Sequence, residues 1–164
     1  MALQTEIQTS LAKLKTMAPA GYALGFHVRF TAPLFMFQTY DKVWLEHYSK
    51  SGFIMSDPVV HWGFTNRGVC DWENLRADDP QGIMVSAAEH GLKHGISWSI
   101  GEGDSHSLGG LARSDRRFTA DEIQEMMAII TNLHEITDNL QILSPETAQA
   151  LQEMSISYTH PAND

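Results

Sequence analysis

The stretch GISWSIGEGDSHSLGGLARS, residues 95–114, decides the architecture. GISWSI and SLGGLARS read as two strands, and the Gly-rich polar run GEGDSH between them reads as a hairpin loop. Strands joined by so short a connection run antiparallel. Upstream, GYALGFHVRF (21–30) switches to period two, so Tyr22, Leu24, Phe26, Val28 and Phe30 share one face of a half-buried strand. TAPLFMF is apolar but interrupted by Pro33, and reads as a strand end followed by a loop.

Helices surround these strands. Leu3, Ile7, Leu11 and Leu14 recur at helical spacing, and Pro19 and Gly21 close that helix. YDKVWLEHY (40–48) predicts a helix stopping near Ser51-Gly52. Asp57-Pro58 is a helix start, with Asp at the N-cap and Pro at the first helical position, and VVHWGF forms that helix. Asp79-Pro80 repeats the signal before QGIMVSAAEH, which Gly91 ends. Thr119-x-x-Glu122 is a capping box opening the longest helix, through Leu143. Its apolar stripe (Ile123, Met126, Met127, Ile130, Leu133, Ile136, Leu140) is wide enough to serve both a sheet and a partner. Pro145 starts a short last helix, and a disordered tail follows from about residue 156. The order predicts an α+β fold, an α/β/α sandwich whose central antiparallel sheet is flanked by helices on both faces.

At 164 residues the chain is read as one domain, 1–164, long enough to bury a core. With 43% hydrophobic and 19% charged residues it is globular rather than disordered. Eleven basic residues stand against 20 acidic, net −9, and only Arg116-Arg117 are adjacent basics, so this chain does not read as a nucleic-acid or anionic-membrane binder by itself. No apolar run is long enough for a membrane span. The single cysteine, Cys70, excludes an internal disulfide framework and fits a reducing cytoplasm; it is read as a small core residue. Glu89, His90 and His94 are close in sequence, but Gly91 falls between the histidines, and a helix C-terminus explains them better than a metal site. No catalytic triad, nucleophile elbow or phosphate loop is present, so no enzyme is expected.

The informative constellation is Tyr40, Trp44 and Tyr48, spaced by four, then Asp57-Pro58 nine residues on and Trp72 fifteen further. Taken singly, the aromatics read as a core stripe and Asp57 as a helix cap. As a set at these distances they resemble the autoinducer-binding domain of LuxR-type quorum-sensing transcription regulators. GLKHGIS and SLGGLARS resemble two later segments of that family, and the resemblance spans roughly residues 3 to 145. It implies an N-acyl homoserine lactone as signal ligand, with no cofactor. Asp57, which can only accept, suits the amide N–H; Trp44, which can only donate, suits the lactone carbonyl; Tyr40 donates to the acyl carbonyl. Tyr48 and Trp72 wall the pocket, Tyr48 more as wall than donor. Val59, Val60, Leu92, Ser97, Leu108 and Gly110 align with pocket-lining positions, with ordinary core as the equal alternative.

Two features depart from or complicate the pattern. Ala112 stands where many relatives have Ser or Thr, which removes a hydroxyl near the acyl carbonyl, and Trp98 is a large ring positioned to crowd the acyl tunnel. A same-fold sensor of an aroyl lactone or a non-lactone signal, and a truncated interaction partner of a full-length regulator, are the alternatives. The resemblance further implies a homodimer through the long helix, and DNA binding through a C-terminal helix-turn-helix domain that this chain ends too early to contain.

Overall fold

The helical stripe at the N-terminus forms α1, Ala2–Met17, burying Ile7, Leu11 and Leu14 completely. The computed structural model describes residues 2–29 and 32–138. Phe30, the part of the long helix beyond Asp138, the Pro145 helix and the tail lie outside the described residues.

Five strands follow: β1 Gly21–Arg29, β2 Ala32–Gln38, β3 Gly68–Asp71, β4 His94–Ile100 and β5 His106–Arg113. Every neighbouring pair is antiparallel, in the order β2-β1-β5-β4-β3. The β4–β5 hairpin turns on Gly103–Ser105, as the GEGDSH loop predicts. The helices are α2 Lys42–Lys50, α3 Pro58–Thr65, α4 Ile83–Glu89 and α5 Ala120–Asp138. Helix α5 opens on the expected capping box: the Thr119 N–H donates to the Glu122 carboxylate (2.8 Å) and the Glu122 N–H to the Thr119 hydroxyl (3.1 Å).

The sheet separates two apolar clusters. On one face α1 and α5 cover Tyr22, Leu24, Phe26, Ile96, Trp98 and Leu111, with Met126, Ile130 and Leu133 of α5 buried among them. On the other face Trp44, Trp72, Ile83, Met84, Ala87, Leu92 and Ala112 pack together, with Tyr40, Tyr48 and Val59 against them. The α/β/α sandwich is therefore present, with the site-forming helices on one side and the terminal helices on the other.

Several elements differ from the sequence reading, each for a local reason. TAPLFMF is a full strand: the Pro33 position pairs with Val28 on a strand that forms one edge of the sheet, where a missing N–H is tolerated. GVCD is an edge strand too short to carry a pattern, and it leaves Cys70 half-buried rather than in the core. Helix α4 starts at Ile83, not after Asp79. Gly82 takes a left-handed φ of 66°, and the Asp79 carboxylate reaches over the turn to accept from Ile83 N–H (2.9 Å) and Met84 N–H (2.8 Å). The largest consequence comes from β1. His27 has a φ of 55° and the register with β5 shifts between Gly25 and Val28. This bulge puts Phe26 and His27 together under α5 and turns Val28 to the opposite face, away from Tyr22, Leu24 and Phe26.

Candidate functional site: a pocket between the sheet and α2–α4

Alternation on β1 and β4 gives the site its floor. Tyr22, Leu24 and Phe26 face α5, so Ala23 and Gly25 face the other way. On β4, Ile96 and Trp98 face α5 while Ser97 and Ser99 face α3. The Ser97 hydroxyl donates to Val59 O (2.9 Å) and the Ser99 hydroxyl to Gly63 O (2.7 Å), and these two bonds pin α3 across the sheet. Gly95 completes the row. A Cβ there would stand 2.5 Å from the Trp72 indole, so only glycine lets that ring lie on the strand. Between this floor and the helices lies a cavity of about 880 Å³.

Ten of the twelve sequence-predicted residues line it: Tyr40, Trp44, Tyr48 and Asp57, then Val59, Val60 and Trp72, then Leu92, Leu108 and Gly110. Ser97 and Ala112 are not on its surface. The Ser97 hydroxyl is used in holding α3, and Ala112 is fully buried in the apolar cluster whose other members, Trp44 and Trp72 among them, line the cavity. Trp98 lies on the far face of the sheet, 6.0 Å from the Phe26 ring centroid, and does not crowd the cavity.

Tyr40 is not on the helix with Trp44 and Tyr48. The chain is still tied to the sheet at the preceding residue, where the Thr39 N–H donates to Tyr22 O (3.0 Å), and α2 begins only at Lys42. Tyr40 therefore enters from the strand-to-helix link, and its hydroxyl comes to 3.2 Å from the position a Cβ on Gly110 would take. Trp44 is held by a ring cluster: Tyr48 at 5.7 Å, Phe53 at 6.1 Å and His90 at 5.2 Å between centroids. Neither the Tyr40 hydroxyl nor the Trp44 indole N–H is engaged by another described residue. The Trp72 indole N–H is buried and also lacks a partner.

Asp57 does both jobs a carboxylate can do here. One oxygen accepts from Val59 N–H (2.9 Å), capping α3; the other accepts from the Tyr48 hydroxyl (2.7 Å). Tyr48 is thus a donor that orients Asp57 rather than a wall alone. Burial pushes the Asp57 carboxyl above the usual carboxylate range, outweighing the bonds from Tyr48 and the α3 amides that pull it down. Burial, and after it the Asp57 charge, also pushes the Tyr40 and Tyr48 phenols up, so both remain protonated donors. The result is two donors and an acceptor at one end of a largely apolar space, which Gln38, Ser56, His61 and Asp78 also line.

The sequence reading missed the run that leads away from this end: Ala23, Gly25, Val28 and Met36 from the strands and Phe64 from α3. Period two on β1 contains the signal for Ala23 and Gly25. Nothing in the alternation marks the bulge that delivers Val28. Of the histidines considered as ligands, His90 packs on Trp44 with its Nδ1 2.9 Å from Ser86 O at the end of α4, and among the described residues no group of His, Cys, Asp or Glu could hold a metal ion.

A family model described as the autoinducer binding domain matches residues 15–138. The chain belongs to that family. Autoinducer-binding domains of the LuxR type take a signal ligand, not a cofactor, and are not enzymes. Among curated relatives, the transcriptional activator protein SolR of Ralstonia nicotianae is 30% identical over 128 residues, covering 71% of this chain and 52% of the relative. SolR of Ralstonia solanacearum is 31% identical over 97 residues, 56% of this chain and 39% of the relative. The chain thus spans about half the length of the curated relatives it matches. Solved autoinducer-binding folds are similar at low identity. SdiA in complex with octanoyl-rac-glycerol has a TM-score of 0.61 at 18% identity, covering 92% of this chain and 73% of that one. The N-acylhomoserine lactone-dependent factor CepR2 from Burkholderia cenocepacia has a TM-score of 0.59 at 15% identity, covering 92% and 85%. Among the described residues no helix is long and apolar enough to cross a membrane.

Proposed function

We propose that this autoinducer-binding domain takes an N-acyl homoserine lactone in the cavity. The observation that carries the reading is the polar end itself: Trp44 and Tyr40 offer unengaged donors, and the Asp57 carboxylate, oriented by Tyr48, offers the acceptor. Trp44 donates to the lactone carbonyl and Tyr40 to the acyl carbonyl, while Asp57 accepts the amide N–H. A buried ligand group left without such a partner costs about 1–3 kcal/mol, so a head group with this complement of two carbonyls and one N–H is selected over one without it. Val59, Val60, Trp72, Leu92, Leu108 and Gly110 shape the surrounding wall; Ser97 and Ala112 act from behind it.

A second reading draws support from SdiA, whose bound molecule in the similar structure is an octanoylglycerol. An acyl ester lacking an amide N–H would use Tyr40 and Trp44 but would give Asp57 no amide to accept from. Mass spectrometry of small molecules extracted from the purified chain separates the two. Equimolar acyl homoserine lactone supports the first; an acylglycerol supports the second. A chain that carries neither, and melts no higher when either is added, sinks both, because ligand binding to the folded state must raise stability.

The same reading carries the wider expectations: a cytoplasmic setting, in keeping with the free thiol of Cys70; pairing with a second copy through the partly buried Ile129 and Ile136 of α5; and DNA contact through a domain outside this chain, as the SolR names suggest. Sedimentation with and without ligand tests the pairing, with a dimer expected and a monomer at all concentrations against it.

A further inference from the structure

We infer that the cavity takes an acyl chain of about ten carbons or more, and that Gly25 is the residue that leaves its far end open. The inference rests on the acyl-ligand reading above. Its geometry begins where the head group would sit, at Tyr40 over Gly110, which pairs with Ala23. From there the β1–β5 seam runs through Gly25 opposite Leu108 to Val28 opposite His106.

Ala23, Gly25 and Val28 of β1 line the cavity, and Val28 does so only because the bulge at His27 turns it there. Five residues of strand cover about 16 Å at roughly 3.3 Å each, somewhat less across a bulge. An extended chain advances about 1.2 Å per bond, so that run accommodates on the order of twelve bonds. The walls along it are mainly apolar, with Pro33 and Met36 from β2, Phe64 from α3 and Leu108 from β5, and Gln38 beside Ala23 as a polar exception. A volume of about 880 Å³ agrees, lying toward the upper end of the roughly 300–1,000 Å³ usual for small-molecule pockets.

Gly25 sits midway along this floor. A Cβ there would meet Leu108 O at 3.5 Å, Pro33 Cβ at 3.6 Å and Met36 Sδ at 3.7 Å, all ordinary contacts. The sheet therefore tolerates a side chain at this position, while its branches would project into the space the chain occupies. Glycine here is not demanded by the backbone, in contrast to Gly95 under Trp72, and its effect is on cavity length.

The test is calorimetric titration of the whole chain with N-acyl homoserine lactones of four to twelve carbons, for the natural protein and for Gly25→Val and Gly25→Ala. In the natural protein the dissociation constant should fall by up to about fourfold for each added methylene, continuing to at least ten carbons. Gly25→Val should weaken the decanoyl lactone at least tenfold more than the butanoyl lactone, with Gly25→Ala between. Affinity that levels off at six carbons overturns the inference without touching the lactone reading. So does an equal loss at every length in Gly25→Val. Binding at no length removes the lactone reading and this inference with it. The length series in the natural protein decides the matter even if a variant does not fold.

Discussion

At Asp57 two demands meet on one carboxylate, and the geometry lets a substitution separate them. Its first oxygen caps α3, a task Asn performs nearly as well, whereas the second faces Tyr48 and the cavity. Asp57→Asn should therefore weaken lactone binding by about 1–3 kcal/mol while ligand-free stability changes much less. Calorimetry alongside urea unfolding reads both, and unchanged affinity would leave Asp57 a cap only. Tyr48→Phe removes only the orienting hydroxyl; a loss of about 0.5–1.5 kcal/mol in affinity is expected, smaller than that of Asp57→Asn. The raised Asp57 carboxyl also has a pH signature. The folded form holds a proton that the unfolded form releases near pH 4, so this contribution to stability is complete below about pH 4 and is lost as pH rises through the raised value. Unfolding of the unliganded protein between pH 4 and 7 should show a decline that Asp57→Asn lacks. Equal profiles would mean that burial does not govern this carboxyl.

Among the elements, α3 is the one whose position matters most, since it carries Asp57 at its cap and Val59 and Val60 in its first turn. Two serine hydroxyls on β4 hold it. Ser99→Ala should cost about 1–3 kcal/mol, because Gly63 O and the buried His106 imidazole (2.6 Å from the Ser99 hydroxyl) both lose a partner. Ser97→Ala should cost less stability but, by loosening the first turn of α3, should also weaken ligand binding. Thermal unfolding and titration of the two variants check this, and a loss confined to stability would separate Ser97 from the site. The elements also show what a single sequence can and cannot carry. Helices with chemically explicit ends were legible: Asp57-Pro58, Gly91 and the Thr119–Glu122 box all lie where their capping chemistry puts them. The strand alternation of residues 21–26 was legible because one face is buried. The bulge at His27 was not, because a left-handed histidine held by Ser107, His134 and Thr137 depends on groups 80 to 110 residues away. Tyr40 was placed on a helix by spacing alone, whereas the two hydrogen bonds between Thr39 and Tyr22 hold the chain to the sheet just before it. Ser97 was read as a pocket residue because its face is right; that α3 lies directly above it is a tertiary fact.

For the molecule as a whole, the sheet divides stability from recognition. The cluster under α1 and α5 holds most of the large fully buried side chains and no cavity-lining helix, so Leu133→Ala should cost about 2–5 kcal/mol while leaving ligand affinity essentially unchanged. Trp44→Phe should do the reverse, removing the indole N–H proposed to donate to the lactone carbonyl while keeping most of a ring that packs on Tyr48 and Phe53. The central claim is that the polar end of the cavity recognises a lactone head group through Trp44, Tyr40 and Asp57. Calorimetric titration of the purified, ligand-free chain with N-decanoyl homoserine lactone, beside its Trp44→Phe variant, tests this most directly. Saturable one-to-one binding that weakens about tenfold or more in the variant is expected. Saturable binding of equal strength in both proteins, or no binding to the natural chain, would contradict it.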